Sequence, residues 1–135
     1  MALARADGSV VVAEAFRAEL NASVLVSRWK ELYNITKAVM ENVHAFPGQG
    51  VVSAFSFGEN FGFWKGLLAA HGIRVEFVEP RVWQKSLGVR LPGHVQKTAH
   101  KNALKNLAAE RNPHLKVSLA TADAILIASY GSRIA

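Results

Sequence analysis

Read for spacing alone, the apolar positions divide the chain into short extended segments and longer helical ones. Residues 2–6 and 10–16 flank Asp7-Gly8, a dipeptide suited to a tight turn, and Val10-Val11-Val12 is β-branched, so the start predicts a hairpin. Asn21 can cap a helix whose Ala22, Leu25, Val26, Trp29, Leu32 and Tyr33 fall on one face. Lys37 to Glu41 is a short apolar run ending in an acid, the pattern of a buried strand, and Phe46-Pro47-Gly48-Gln49-Gly50 breaks it. A long helix follows from Ser53 to His71, with Ala54, Phe57, Phe61, Trp64 and Leu68 as its buried stripe. Gly58, Gly62 and Gly66 recur every fourth position, a smooth strip where another backbone can approach. Each costs a helix roughly 1 kcal/mol against alanine, which points to a packing reason.

Gly72 ends that helix, Arg74 to Glu79 reads as a second strand stopped by Pro80, and a basic loop runs on to about Gln96. Thr98 to Arg111 predicts a helix with Ala99, Ala103, Leu104, Leu107 and Ala108 inward and Lys97, Lys101 and Lys105 along the outer face. A last helix spans about Ala120 to Ser132, with Asp123 near its start. No repeat or linker interrupts the pattern, so residues 1–135 are expected to form a single α/β domain.

Composition narrows the class. Half the residues are apolar and 19% are charged, which excludes a disordered or fibrous chain. The absence of cysteine excludes disulfides, thiolate metal sites and a cysteine nucleophile. No apolar run reaches the roughly 18 residues of a membrane span, and the first residues lack a signal-peptide pattern, so a cytoplasmic protein with no membrane partner is expected. The net charge of +6 is unevenly spread. Arg81, Lys85, Arg90, Lys97, Lys101, Lys105, Arg111 and Lys116 share their segment with a single acid, Glu110, which leaves the rest of the chain at −1. Such a block suits a polyanion such as DNA, or it is a solvated basic face.

Two acids stand in apolar surroundings. Glu41 follows Ala38-Val39-Met40, and Asp123 lies within Ala122-Asp123-Ala124-Ile125-Leu126. A carboxylate at a strand end facing one in a helix's first turn can cradle Mg²⁺, which prefers oxygen ligands. The ordinary alternatives are an ion pair for Glu41 and a favourable helix-dipole position for Asp123.

The run Met40-Glu41-Asn42-Val43-His44-Ala45-Phe46-Pro47-Gly48-Gln49-Gly50-Val51-Val52-Ser53-Ala54-Phe55-Ser56-Phe57-Gly58 resembles the acid-bearing strand and following helix of phage-type RuvC-like Holliday junction resolvases. Val78-Glu79-Pro80-Arg81-Val82-Trp83-Gln84-Lys85 is similar to their next strand and its proline and tryptophan-lysine segment, and Ala122-Asp123-Ala124 to their final acidic helix. The resemblance implies an RNase H-like mixed sheet flanked by helices, and three or four acids that use Mg²⁺ to nick branched DNA, usually in a dimer. It implies Glu41 and Asp123 as catalytic metal ligands, with Lys101 facing DNA or the scissile phosphate. Arg81, Lys85, Lys97 and Lys105 are the further candidates for DNA binding.

Two departures lower the expected activity. Ala120 stands where the family often has another acid or a histidine, and no Gly-x-Asp-x-Gly strand precedes the hairpin. Asp7 is better suited to the turn than to catalysis. The expectation is therefore a RuvC-like domain truncated or remodelled at its N-terminal, central strand, with weak or absent endonuclease activity. The other reading is a non-catalytic DNA-binding or oligomeric scaffold protein derived from such a domain. Loss of the central strand exposes sheet edges, so a homodimer or higher oligomer is expected, with the hairpin at or near its interface.

Overall fold

A computed structural model describes residues 1–88 and 96–134. Along the chain these form β1 (Ala2–Ala4), β2 (Val10–Ala13), α1 (Glu19–Leu32), β3 (Ala38–Glu41), α2 (Val51–Ala70), β4 (Val75–Val78), α3 (Pro80–Ser86), α4 (Lys97–Arg111) and α5 (Ala122–Gly131). The class is mixed α/β. The strands hydrogen-bond as two separate pairs, β1 with β2 and β3 with β4, where the RNase H-like expectation has one mixed sheet. The chain divides into two compact units, one built from Met1–Ala15 with the segment from Pro80 onward, the other from Phe16–Glu79.

The first unit starts from the predicted hairpin. Asp7 Oδ1 accepts hydrogen bonds from the Ser9 backbone N–H (2.8 Å) and hydroxyl (2.6 Å), and Gly8 takes the left-handed φ of +93° that the turn requires. Leu3 pairs with Val12 but Ala4 with Val10, so Val11 is the extra residue of a bulge. Helix α5 packs against both strands and also against α3 and α4. Val10, Trp83, Leu87, Leu104, Ala108, Ile125 and Leu126 are buried, Trp83 and Ile125 completely. Two polar contacts hold the periphery: Arg111 donates to the Leu87 carbonyl (2.8 Å) and His114 Nε2 to the Val10 carbonyl (2.7 Å).

Pro80 does not stop the chain's regular structure, as the sequence suggested; it opens α3. Proline has no N–H to lose in a first turn and its φ already suits a helix. Burial of Trp83 and Leu87 then holds this short helix in place. Of the expected basic loop, residues 89–95, including Arg90, lie outside the described residues.

The second unit contains a β3–α2–β4 crossover. The two strands are parallel, in the register Ala38↔Val75 to Glu41↔Val78. Parallel strands need such a connection, and α2 supplies it by packing on β4, where Phe61 meets Phe77 with ring centroids 5.7 Å apart. Phe16 stacks edge-on against Trp64 at 4.9 Å. Lys37 bridges to Glu76 at 3.4 Å across the strand pair, and Arg74 joins the same carboxylate.

Three expectations for this unit are corrected. Asn21 is not a cap: α1 begins three residues earlier than such a cap implies, with Ala18 in extended conformation at its head and no side chain capping it. The β3 strand is only half-buried along its length. Of the expected α2 stripe only Leu68 is buried, and Phe57 is 56% exposed. Four-residue strands cannot cover a twenty-residue helix.

Candidate functional site

In the first unit the candidate groups gather on α3, α4 and the head of α5. The four-residue spacing of Lys97, Lys101 and Lys105 places them along one side of α4, with Lys97 and Lys101 exposed and Lys105 half-buried. Arg81 and Lys85 are exposed on α3. Asp123 occupies the first turn of α5, where the exposed backbone N–H groups favour a negative charge. Its neighbours Ala122, Ile125 and Leu126 are buried while Asp123 itself is exposed, because it lies on the outer side of that turn.

Helix α4 packs on α5 and brings charge to this carboxylate. Partial desolvation pushes the Asp123 carboxyl above its ordinary value, and the nearby charges of Lys101 and His100 oppose that rise. His100 was missed by the sequence reading. Its signal was available: it stands four residues before buried Leu104 and so on the side of α4 that turns toward the core.

In the second unit Glu41 ends β3, half-buried, in register with Val78. The Asn42 backbone N–H extends the ladder to the Val78 carbonyl (2.8 Å). The Asn42 side-chain amide donates to Glu79 Oε1 (2.7 Å), which also lies 3.5 Å from His44 Nε2. Glu79 is thus a second acid at the same end of the strand pair, hidden in the sequence by its place between a strand and a proline. Successive residues alternate sides of a strand, so Glu41 and Glu79 belong to opposite faces of the pair. Glu41 and Asp123 belong to different units, and each is described within its own.

Asp7 acts as a turn residue. Its two hydrogen bonds from Ser9 pull the carboxyl below its ordinary value and use one of its oxygens. Among the described residues no group of three or more histidine, aspartate or glutamate side chains is arranged to hold a metal ion, and no helix is long and apolar enough to cross a membrane. Compared with known proteins, the chain matches no family model and no curated protein sequence.

Proposed function

We propose that the chain is a cytoplasmic, RuvC-like DNA-binding domain of RNase H-like ancestry, in which grip on the phosphate backbone outweighs strand cleavage. The observation that carries this reading is the row Lys97, Lys101 and Lys105 on α4, of which Lys101 acts on the Asp123 carboxylate. A lysine row releases counterions when it neutralises phosphates, and it reads no sequence. Mg²⁺ is the cofactor of the cleavage half of the proposal, and Glu41 and Asp123, each within its own unit, are the candidate oxygen donors that the resemblance implies. The fit is poor on the Asp123 side, because the Lys101 ammonium acts on the same carboxylate and would repel a metal ion. No reaction step is therefore assigned to the ion, and cleavage is proposed as weak or absent.

Binding to branched and linear duplexes, followed by anisotropy across a salt series, tests the first half. Changing Lys101 and Lys105 together to alanine should weaken binding to every duplex and lower the salt slope by roughly two, about 0.9 per lost phosphate contact. Unchanged binding would reduce the basic row to a solvated surface. Mg²⁺-dependent nicking of branched DNA tests the second half, with Glu41→Gln and Asp123→Asn expected to remove whatever activity exists. Robust nicking abolished by Asp7→Asn would instead make Asp7 a metal ligand.

A scaffold role is the second reading, and a separate observation favours it. Ten of the twelve large hydrophobic side chains exposed among the described residues lie in the second unit.

A further inference from the structure

The turn of the hairpin holds a peptide bond with a second chemistry available to it. Asp7 is followed by Gly8, whereas Asp123 and every asparagine precede a residue that carries a side chain. Before glycine no side chain shields the amide nitrogen, and the backbone is free to turn. The Gly8 nitrogen can then attack Cγ of Asp7. An N–Cγ bond forms, and the carboxyl's hydroxyl leaves as water with the proton of the nitrogen. The product is a cyclic succinimide. Water re-opens the ring at either carbonyl: cleavage of the N–Cγ bond gives back aspartate, and cleavage at the Asp7 carbonyl carbon gives isoaspartate. The water lost in the first step is regained in the second, and nothing is oxidised or reduced.

The folded turn opposes each requirement of that attack. The nucleophile is held, because the Gly8 N–H donates to the Arg5 carbonyl at 3.0 Å. The electrophile is held too, because Asp7 Oδ1 accepts the Ser9 N–H at 2.8 Å and the Ser9 hydroxyl at 2.6 Å. Those bonds, the hydroxyl's first, keep the carboxyl below its ordinary value and so ionised, whereas loss of water needs the acid form. The end of α5 closes the space beside the turn: a Cβ on Gly8 would lie 3.3 Å from the Ser132 hydroxyl oxygen. Asp7 is exposed, so water is at hand. Freedom to move is what the docked turn withholds.

Isoaspartate cannot return to this turn. Its main chain runs through Cβ and Cγ, which adds one atom between the Asp7 Cα and the Gly8 nitrogen. The bonds from Arg5 N–H to the Ser9 carbonyl (2.9 Å) and from Gly8 N–H to the Arg5 carbonyl close over that stretch. Just beyond it Val10 is buried at 1% exposure, with its carbonyl held by His114. A longer chain between these fixed points cannot satisfy them together.

We propose that Asp7–Gly8 is a latent isomerisation site, closed while the hairpin is docked on α5 and open when it lifts, so that isoaspartate formation releases β1 and β2 irreversibly. This latch is independent of DNA binding. Its only co-reactant is water, and its product is an isoaspartyl carboxylate, the substrate class of protein carboxyl methyltransferases.

Peptide mapping of the full chain, with isoaspartate read by enzymatic carboxyl methylation, tests the latch at neutral pH. Isoaspartate at residue 7 should accumulate at least about tenfold faster in urea than in the folded protein, since the turn's hydrogen bonds must open first. Ser9→Ala removes the hydroxyl donor and should raise the folded-state rate about tenfold, the factor of one hydrogen bond to a charged group, without changing the rate in urea. Asp7→Glu should abolish the signal. In the isomerised protein, hydrogen exchange should show lost protection at the Arg5, Ser9 and Glu14 amides and unchanged protection in β3 and β4. Equal rates in urea and in the folded state, or a folded rate that Ser9→Ala leaves unchanged, would overturn the proposal. So would methylation that persists in Asp7→Glu, or hairpin amides that stay protected after isomerisation.

Discussion

The two units solve the same problem, covering a small sheet with helices, and reach opposite results. In the first, α5 lies against the hairpin with α3 and α4 at its sides, and Trp83, Ile125 and Leu126 leave essentially no surface to solvent. In the second, the two four-residue strands give α2 too little to lie on, and phenylalanine and valine side chains along it stay in water. The difference is one of ratio between elements and not of composition. A helix of twenty residues is about 30 Å long, and a four-residue strand about 13 Å. Apolar content does not guarantee a core; it must meet an equal apolar area, in the same chain or in another.

Substitutions at matched aromatic positions should show this contrast most strongly. Trp83→Ala in the first unit should cost about 3–5 kcal/mol in urea unfolding, the range for emptying a closed aromatic site. Phe57→Ala on the exposed side of α2 should cost under about 1 kcal/mol. Equal losses would erase the distinction between the units. Next in size is the docking of the hairpin. A Cβ at Gly8 would lie 3.3 Å from the Ser132 hydroxyl oxygen in a left-handed backbone, so Gly8→Ala should cost roughly 1–3 kcal/mol. Gly62→Ala, with open space around it, should be neutral or slightly stabilising in the monomer.

The smallest effects should be electrostatic and of opposite sign in the two units. Asp123 has its carboxyl raised, mainly by desolvation, so its contribution to stability is fully present below the ordinary carboxylate range and is lost as pH rises through the raised value. Glu76 is lowered, first by the hydrogen bond from Arg74 and then by Lys37, so its contribution is present above the ordinary range and is lost as pH falls through the lowered value. Carboxyl carbon shifts followed by NMR should show Asp123 titrating above the ordinary aspartate value and Glu76 below the ordinary glutamate value. Asp123→Asn should flatten the loss of stability toward neutral pH, and Glu76→Gln the loss toward acid. An Asp123 that titrates below the ordinary aspartate value would be governed by Lys101 and His100 and not by desolvation.

Much of this was legible in the spacing of residues, and the misses share a cause. The hairpin around Asp7-Gly8, the crossover helix after Gly50 and the lysine row of α4 are local patterns, and each stands within a few residues of its predicted place. Helix α3 was not local, since Pro80 can end a strand or begin a helix, and burial of Trp83 among distant residues decides. The apolar neighbours of Asp123 suggested a buried carboxylate, yet the first turn of α5 turns them inward and Asp123 outward. Glu79 and His100 acquire meaning only from partners: Asn42 and His44 in one case, Asp123 in the other. The RuvC-like resemblance rests on Glu41 to Gly58 and the segment after Val78, parts of both units.

The division into units also orders events during synthesis. The first unit is discontinuous, and the bond from His114 to the Val10 carbonyl spans 104 positions. The hairpin therefore leaves the ribosome long before the helix that covers it, while Phe16–Glu79 is complete as soon as β4 emerges. What folds first is thus the part with the most uncovered apolar surface. On a polysome, where nascent copies are held close together, that surface matures before the rest of the chain has been made.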